Sequence, residues 1–239
     1  MEKTIYEYLK EYLEESTTKY EDPAMYESIS DNWIYFPLSD MLVTPLRNLG
    51  LTPNNVTALS TISTLSTIYF LENKQIEYAC VAYFIGYLLD CVDGNMARKY
   101  KMGSKFGAAF DMVSDEITNF ILIGYLIYTK GYKNWYIPTI IIVGYLCSFA
   151  LSISDALSIH KKTGSDNFYK IKFDDFKDEH GLIYKLYLST YNVMYNNYKL
   201  FFPTYDENKL KKYLLLLKEF GPGNVNLLGI YILYYYYNN

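Results

Sequence analysis

Residues 90–115 read "DCVDGNMARKYKMGSKFGAAFDMVSD" and set four aspartates, Asp90, Asp93, Asp111 and Asp115, between two runs of apolar sequence. An ionised carboxylate inside a bilayer costs kilocalories unless it is paired, hydrated or bound to a metal. The flanking runs decide whether that cost applies here.

Charged residues are absent from residues 48–71, 134–154 and 220–239. Each gap approaches the ~20 residues an α-helix needs to cross a bilayer. The mean hydropathy of −0.06 suggests a soluble protein, but 29 tyrosines depress that average in a chain that is 51% hydrophobic and 18% aromatic. The segregation of charge points to an all-α, polytopic membrane bundle. A net charge of −4, with no basic patch interleaved with aromatics, argues against a nucleic-acid partner. Cys80, Cys91 and Cys147 lack CxxC spacing and read as small buried hydrophobes. His160 and His180 stand alone in polar sequence and read as surface residues. The N-terminal "MEKTIYEYLKEYLEE" is charged and lacks the apolar core of a signal peptide, so insertion is expected to begin at an internal span.

Along the chain, Ile5, Leu9, Tyr12 and Leu13 have helical spacing and predict a short soluble helix, followed by a loop around Pro23. Residues 33–49 place Leu38, Met41, Leu42, Leu46 and Leu49 on one face and predict an amphipathic helix lying on the membrane. A Ser/Thr-rich first span is expected over residues 56–71, its hydroxyls returning hydrogen bonds to their own helix and allowing close packing. The second runs over 75–98; its uncharged part, 78–89, is too short to cross alone, so Asp90 and Asp93 occupy its last turns. The third starts near Gly107 and carries Asp111 and Asp115 in its first turns. A fourth covers 135–154, and the mixed-charge residues 155–180 read as a solvent loop. A fifth, 182–202, is interrupted by Lys185 and Lys199. Residues 210–223 predict an amphipathic helix with a Gly-Pro-Gly stop, and 224–237 a short last span. The chain thus divides into an N-terminal arm with its interfacial helix, 1–52, and a membrane domain of about six spans, 53–239. Arg98, Lys99, Lys101 and Lys105 lie in one connection, and Lys161, Lys162, Lys170, Lys172 and Lys177 in another; the alternate connections hold only Lys74, or Lys130 and Lys133. The aspartates and the N-terminus are therefore expected to face the cytoplasm.

On helices, Asp90 and Asp93 share a face, as do Asp111 and Asp115. A short connection makes the two helices antiparallel neighbours and lets four carboxylates converge. Converging carboxylates repel one another unless a cation neutralises them, and hard oxygen ligands suit Mg²⁺, Mn²⁺ or Ca²⁺. Four carboxylates can serve two metals, a recurring device for phosphoryl transfer. Gly94 allows close approach of a ligand, Ala97 is small for the same purpose, and Arg98 offers a forked donor to phosphate. Set against this, a bare "DxxDG" occurs in many turns, and Asp111 also suits a helix cap.

The full spacing is D-x2-D-G-x2-A-R-x8-G-x3-D-x3-D, from Asp90, Asp93, Gly94, Ala97, Arg98 and Gly107 to Asp111 and Asp115. It resembles the pattern of the CDP-alcohol phosphatidyltransferase family at all eight fixed positions. Upstream, "LTPNNVTALS" is similar to the family's "TPNxVTxxS" segment, through Thr52, Pro53, Asn54, Val56, Thr57 and Ser60. The resemblance covers about residues 50–155. It implies a six-helix membrane enzyme, commonly a homodimer, with a divalent-metal site (Mg²⁺ or Mn²⁺) open to the cytoplasm. Such an enzyme passes a phospho-alcohol group from a CDP-linked donor to an acceptor hydroxyl and releases CMP. Carried over, Asp90, Asp93 and Asp111 are metal ligands, and Asp115 is a metal neighbour and the general base. Gly94, Ala97, Arg98, Gly107 and Asn54 belong to the CDP-binding wall.

"KFGAAFDMVSD" is similar to the corresponding stretch of phosphatidylinositol synthases, which implies CDP-diacylglycerol as donor. Glu116 stands where those synthases usually carry Arg or Lys, and an acid there disfavours an anionic acceptor. Transfer of phosphocholine or phosphoethanolamine to diacylglycerol is the alternative within the class. A cation transporter explains intramembrane acids but not Gly94, Ala97 and Arg98 at fixed spacing, and an inactive family member is opposed by the intact pattern.

Overall fold

The computed structural model describes residues 23–130 and 136–238, and every regular element among them is helical. In order these are α1 (Pro23–Tyr26), a π-helical turn (Asp31–Tyr35), α2 (Phe36–Asn48), α3 (Pro53–Glu72), α4 (Ile76–Lys99) and α5 (Lys105–Lys130). There follow α6 (Tyr136–Thr163), α7 (Phe168–Phe176), α8 (Leu182–Phe201), α9 (Glu207–Leu217), a 3₁₀ turn (Lys218–Phe220) and α10 (Pro222–Asn238). The helix expected around Ile5–Leu13, together with Lys133 and Trp135, lies outside the described residues. One described helix, α6, is long and apolar enough by composition to cross a membrane.

Local chemistry sets the joints. "GLTPNN" ends α2 and starts α3: Leu51 N donates to Leu46 O and Gly50 N to Arg47 O, with Gly50 at φ 85°, a left-handed cap that glycine adopts without steric cost. Thr52 then caps α3 in a reciprocal box with Asn55, and Pro53 occupies the first helical position. The same left-handed closure recurs after α3 at Lys74 (φ 57°) and after α4 at Lys101 (φ 53°), where Met102 N reaches back to Ala97 O. The first turn returns the chain along α3, whereas the second sends it to the other side of α3.

α3 is the wedge of the molecule. It packs against α4 and α5 alike, while α4 and α5 make few close backbone approaches to one another among the described residues. The expected antiparallel neighbours are thus held together through α3. Its hydroxyls act in both expected ways. Thr61 donates to Thr57 O in its own helix, whereas Ser60 and Ser63 donate across to Gly86 O and Ala82 O of α4, each at 2.8 Å. Gly86 permits this approach, since a Cβ there would overlap Thr64 Oγ1 and stand 3.1 Å from Thr64 N.

Three expectations are corrected. Helix α6 does not end at residue 154 but runs to Thr163, because no Gly or Pro stands between residue 154 and Gly164, and Asp155 is buried within it rather than opening a loop. The presumed solvent loop contains α7, capped by Asn167, whose Phe168 and Phe176 are buried against Tyr187, Tyr191 and Tyr198 of α8. His160, read as a bare surface residue, is partly covered: it stacks on Tyr205 at 3.8 Å and pairs with Asp166 at 3.2 Å. The last two segments are helical, but α9 spans Glu207–Leu217 and α10 already starts at Pro222, within the expected Gly-Pro-Gly stop; Leu210 and Leu214 of α9 are fully buried.

A polar joint fastens the N-terminal segment. Asp31, fully buried, accepts from Ser28 Oγ (2.7 Å), Tyr87 Oη of α4 (2.6 Å) and Gly223 N of α10 (3.2 Å). Tyr35 Oη donates to Asn226 Oδ1 at 2.7 Å, and Asn226 donates to Tyr83 O. Residues 28–35 are therefore seated on α4 and α10.

The α3–α4 contact yields a stability prediction. Gly86→Ala forces helix backbones apart and should cost about 1–3 kcal/mol, as overpacking does. A lowered Tm in detergent would report it, while Gly124→Ala, with nothing within 4 Å of its new methyl, should leave Tm unchanged or higher.

Candidate active site

The site is built where α3, α4 and α5 meet. Asp90 and Asp93 lie in the last turns of α4, as their three-residue spacing requires. Asp111 and Asp115 lie in the second and third turns of α5. That helix begins earlier than expected, at Lys105, and Ser104 accepts Gly107 N at 2.9 Å. Ser104 thus takes the capping role that Asp111 was also suited to, and Asp111 lies inside the helix.

Asp90, Asp93 and Asp111 each offer an oxygen, and the three oxygens lie within 4.8 Å of one another. Asp115, one turn beyond Asp111, is within hydrogen-bonding reach of Asp90. The four sequence-predicted carboxylates are therefore gathered from two helices into one cluster. Oxygens sharing one Mg²⁺ at ~2.1 Å are separated by about 3–4.2 Å, so a small contraction makes the three into ligands of a single ion. The donors are all hard carboxylate oxygens, Asp93 is buried, and among the described residues no nitrogen or sulfur ligand joins the cluster. The residues present fit a divalent cation of the magnesium type.

The smaller residues have their own reasons. A Cβ at Gly107 would stand 2.9 Å from Asn54 Oδ1 and 3.0 Å from Ser104 Oγ, so Gly107 exists to let the first turn of α3 lie against α5. Asn54 and Gly107, widely separated in sequence, are thus brought together. A Cβ at Gly94 would meet Arg98 Nη1 at 3.2 Å, so Gly94 leaves room for the Arg98 guanidinium to fold back along α4. Ala97 lies half-buried between them and anchors the turn into α5 through its carbonyl.

One site residue was missed as such. Thr57 Oγ1 donates to Asp93 Oδ2 at 2.6 Å, and both residues are buried. The signal was present: Thr57 belongs to the "TPNNVT" segment, five residues after the cap that sets the register of α3. Glu116, next to Asp115, accepts from Thr190 Oγ1 of α8 at 2.7 Å and makes no ion pair among the described residues.

A model of the CDP-alcohol phosphatidyltransferase family matches residues 50–175. Among curated proteins, the chain is 33% identical to a phosphatidylinositol phosphate synthase of Mycobacterium marinum, over 38% of this chain and 39% of that one. It is 29% identical to the CDP-diacylglycerol–inositol 3-phosphatidyltransferase of Saccharomyces cerevisiae, over 51% and 56%. It is 36% identical to a CDP-diacylglycerol–serine O-phosphatidyltransferase of Helicobacter pylori, over 30% and 31%. Each alignment spans well under two thirds of the relative's own length. No solved structure matches the chain at a significant level. The matched region begins just before the α3 cap, ends in α7 and contains every residue of the carboxylate cluster, and on that match the chain belongs to the CDP-alcohol phosphatidyltransferase family.

Proposed function

We propose that this chain catalyses metal-dependent transfer of a phospho-alcohol group, in phospholipid synthesis a phosphatidyl group, from a CDP-linked donor to an acceptor hydroxyl. The carrying observation is the convergence of Asp90, Asp93 and Asp111 with Asp115 beside Asp90, at the family's spacing. In this reading Asp90, Asp93 and Asp111 hold Mg²⁺ or Mn²⁺, and Asp115 borders the ions as a fourth carboxylate. When bound, such an ion supplies charge neutralisation for a diphosphate and for the departing phosphate. Asp115 accepts the proton of the acceptor hydroxyl as its oxygen bonds to the donor's phosphorus. The bond from that phosphorus to CMP breaks, and CMP leaves with the electron pair. Arg98 offers paired N–H donors to the donor's phosphates, Gly94 and Ala97 leave its path clear, and Asn54 with Gly107 closes the nucleotide wall.

We read α3 to α6, α8 and α10 as the crossing helices, with residues 53–239 as the membrane unit and residues 1–52 as its arm. Phe120 and Tyr128 of α5 and Ile62 of α3 are 74%, 88% and 63% exposed, as lipid-facing side chains are. Met41 of α2 and Leu49, the residue that caps its end, 72% and 77% exposed, support its lying at the interface, while Leu42 and Leu46 pack inward. The basic connections support a site that faces the cytoplasm, and the family resemblance supports a homodimer.

Glu116 bears on the acceptor. A hydroxyl donor leaves its charge uncompensated next to Asp115, which favours an uncharged or zwitterionic alcohol over a phosphate monoester.

Purified protein with Mg²⁺ or Mn²⁺ should release CMP from CDP-diacylglycerol in the presence of inositol or serine, and EDTA should stop it. CMP formed instead from CDP-choline or CDP-ethanolamine with diacylglycerol would transfer the assignment to that branch; no CMP from any mixture would sink it. Asp93→Asn should reduce transfer to background, and Asp115→Asn should lower it about 10²–10⁴-fold, the usual worth of a positioned base. Retained helical circular dichroism must accompany both losses. Inositol phosphate should be the poorer acceptor, and Glu116→Gln should narrow the gap, as seen in relative kcat/KM.

A further inference from the structure

The carboxylate cluster draws its ligands from α4 and α5, yet α3 also bonds a ligand side chain. Thr57 Oγ1 lies 2.6 Å from Asp93 Oδ2 and 3.1 Å from Pro53 O. A hydroxyl has one proton, and a carboxylate is the stronger acceptor, so the proton goes to Asp93 and the contact to Pro53 O is secondary. Both side chains are nearly sealed, at 4% and 3% exposure, so water does not compete for the bond.

Three features make this contact more than incidental packing. First, the donor is fixed before the carboxylate meets it: Thr52 and Asn55 cap α3 reciprocally, and Pro53 presets its first turn. Second, the two helices cannot slide, because Ser60 and Ser63 tie α3 to Gly86 O and Ala82 O of α4 further along the same face. Third, the bond engages a single oxygen of Asp93, and the same carboxylate offers an oxygen within 4.8 Å of those of Asp90 and Asp111. Thr61, one turn on, makes the ordinary bond back to its own helix at 2.9 Å and bonds no carboxylate among the described residues.

We infer that Thr57 is a positioning residue for the metal centre, orienting Asp93 so that one carboxylate oxygen is presented to the cation. The inference rests on the reading of Asp93 as a metal ligand. A hydrogen-bonded partner behind a ligand fixes its orientation and raises its affinity for the ion, and loss of such a partner typically weakens metal binding about 10–100-fold.

The test is Mn²⁺ binding to the full chain in detergent, read by electron paramagnetic resonance and by calorimetry, so that it does not depend on turnover. Thr57→Val keeps the shape and removes the donor; it should weaken Mn²⁺ binding by about 10–100-fold. Thr57→Ser should restore most of the affinity, and Thr61→Val should bind as the parent does. Thr57→Ala supplies the same donor loss should the valine variant fail to elute as a single species. Parent-like binding by the folded donor-less variant would overturn the inference, as would an equal loss in Thr61→Val. Asp93→Asn separates the two levels: if it binds Mn²⁺ as the parent does, the ligand assignment fails, whereas a large loss there with none in Thr57→Val removes Thr57 alone.

Discussion

Bringing like-charged carboxylates within ligand distance of one another inside an apolar bundle is the constraint on which this structure turns. The charges repel, and a bundle of otherwise apolar helices offers little water to screen them. Two helices that merely lay side by side would relax the repulsion by rotating their acids apart. The molecule prevents this by inserting α3 against both of them. Small and hydroxylated residues let α3 approach α4 closely, at Gly86, Ser60 and Ser63, and Gly107 lets Asn54 seat the same helix against α5. The cluster is therefore as rigid as the α3 contacts, and those begin at a helix cap.

The opposite side of α5 is held by different means. Ala109 and Val113 enter a core with Ile153 and Leu157 of α6 and the aromatic stripe Tyr187, Tyr191 and Tyr198 of α8, to which Phe168 and Phe176 of α7 add. Fixing that face leaves Asp111 and Asp115 turned toward α4. Thr190 holding Glu116 ties α5 to α8 by a polar bond at the same level. The Asp31 joint does comparable work for α4, since Tyr87 reaches Asp31 one turn before Asp90. Each helix bearing metal-site carboxylates is thus also braced by a contact other than α3.

The high tyrosine content finds a structural use in this bracing. Tyr187, Tyr191 and Tyr198 line the buried face of α8, and Lys172 and Lys199 lie over Tyr191 and Tyr195 at 5.2 and 5.8 Å. Tyrosine tolerates both an apolar core and a wet rim, and Lys199, one of the two lysines that interrupt this segment in sequence, covers aromatic rings. A helix that hydropathy alone reads as broken is consequently intact.

The sequence by itself determined the helical class, the carboxylate set and its spacing, because helix periodicity and caps are local. Asp90, Asp93, Asp111 and Asp115 had to share faces once their segments were helical, and "LTPNN" had to start a helix. It also carried the family pattern through Gly94, Ala97, Arg98 and Gly107. What it left open depended on contacts between distant residues. Asp155 read as a loop residue because a charge after an apolar run looks like an exit, and only burial by neighbouring helices shows otherwise. The reason for Gly107 is Asn54, and the partner of Asp93 is Thr57; neither pairing has a local signature. Only the tertiary structure decided that α3 stands between the helices bearing the acids, because packing between helix faces depends on side-chain shape across the bundle and not on the order of residues along one helix.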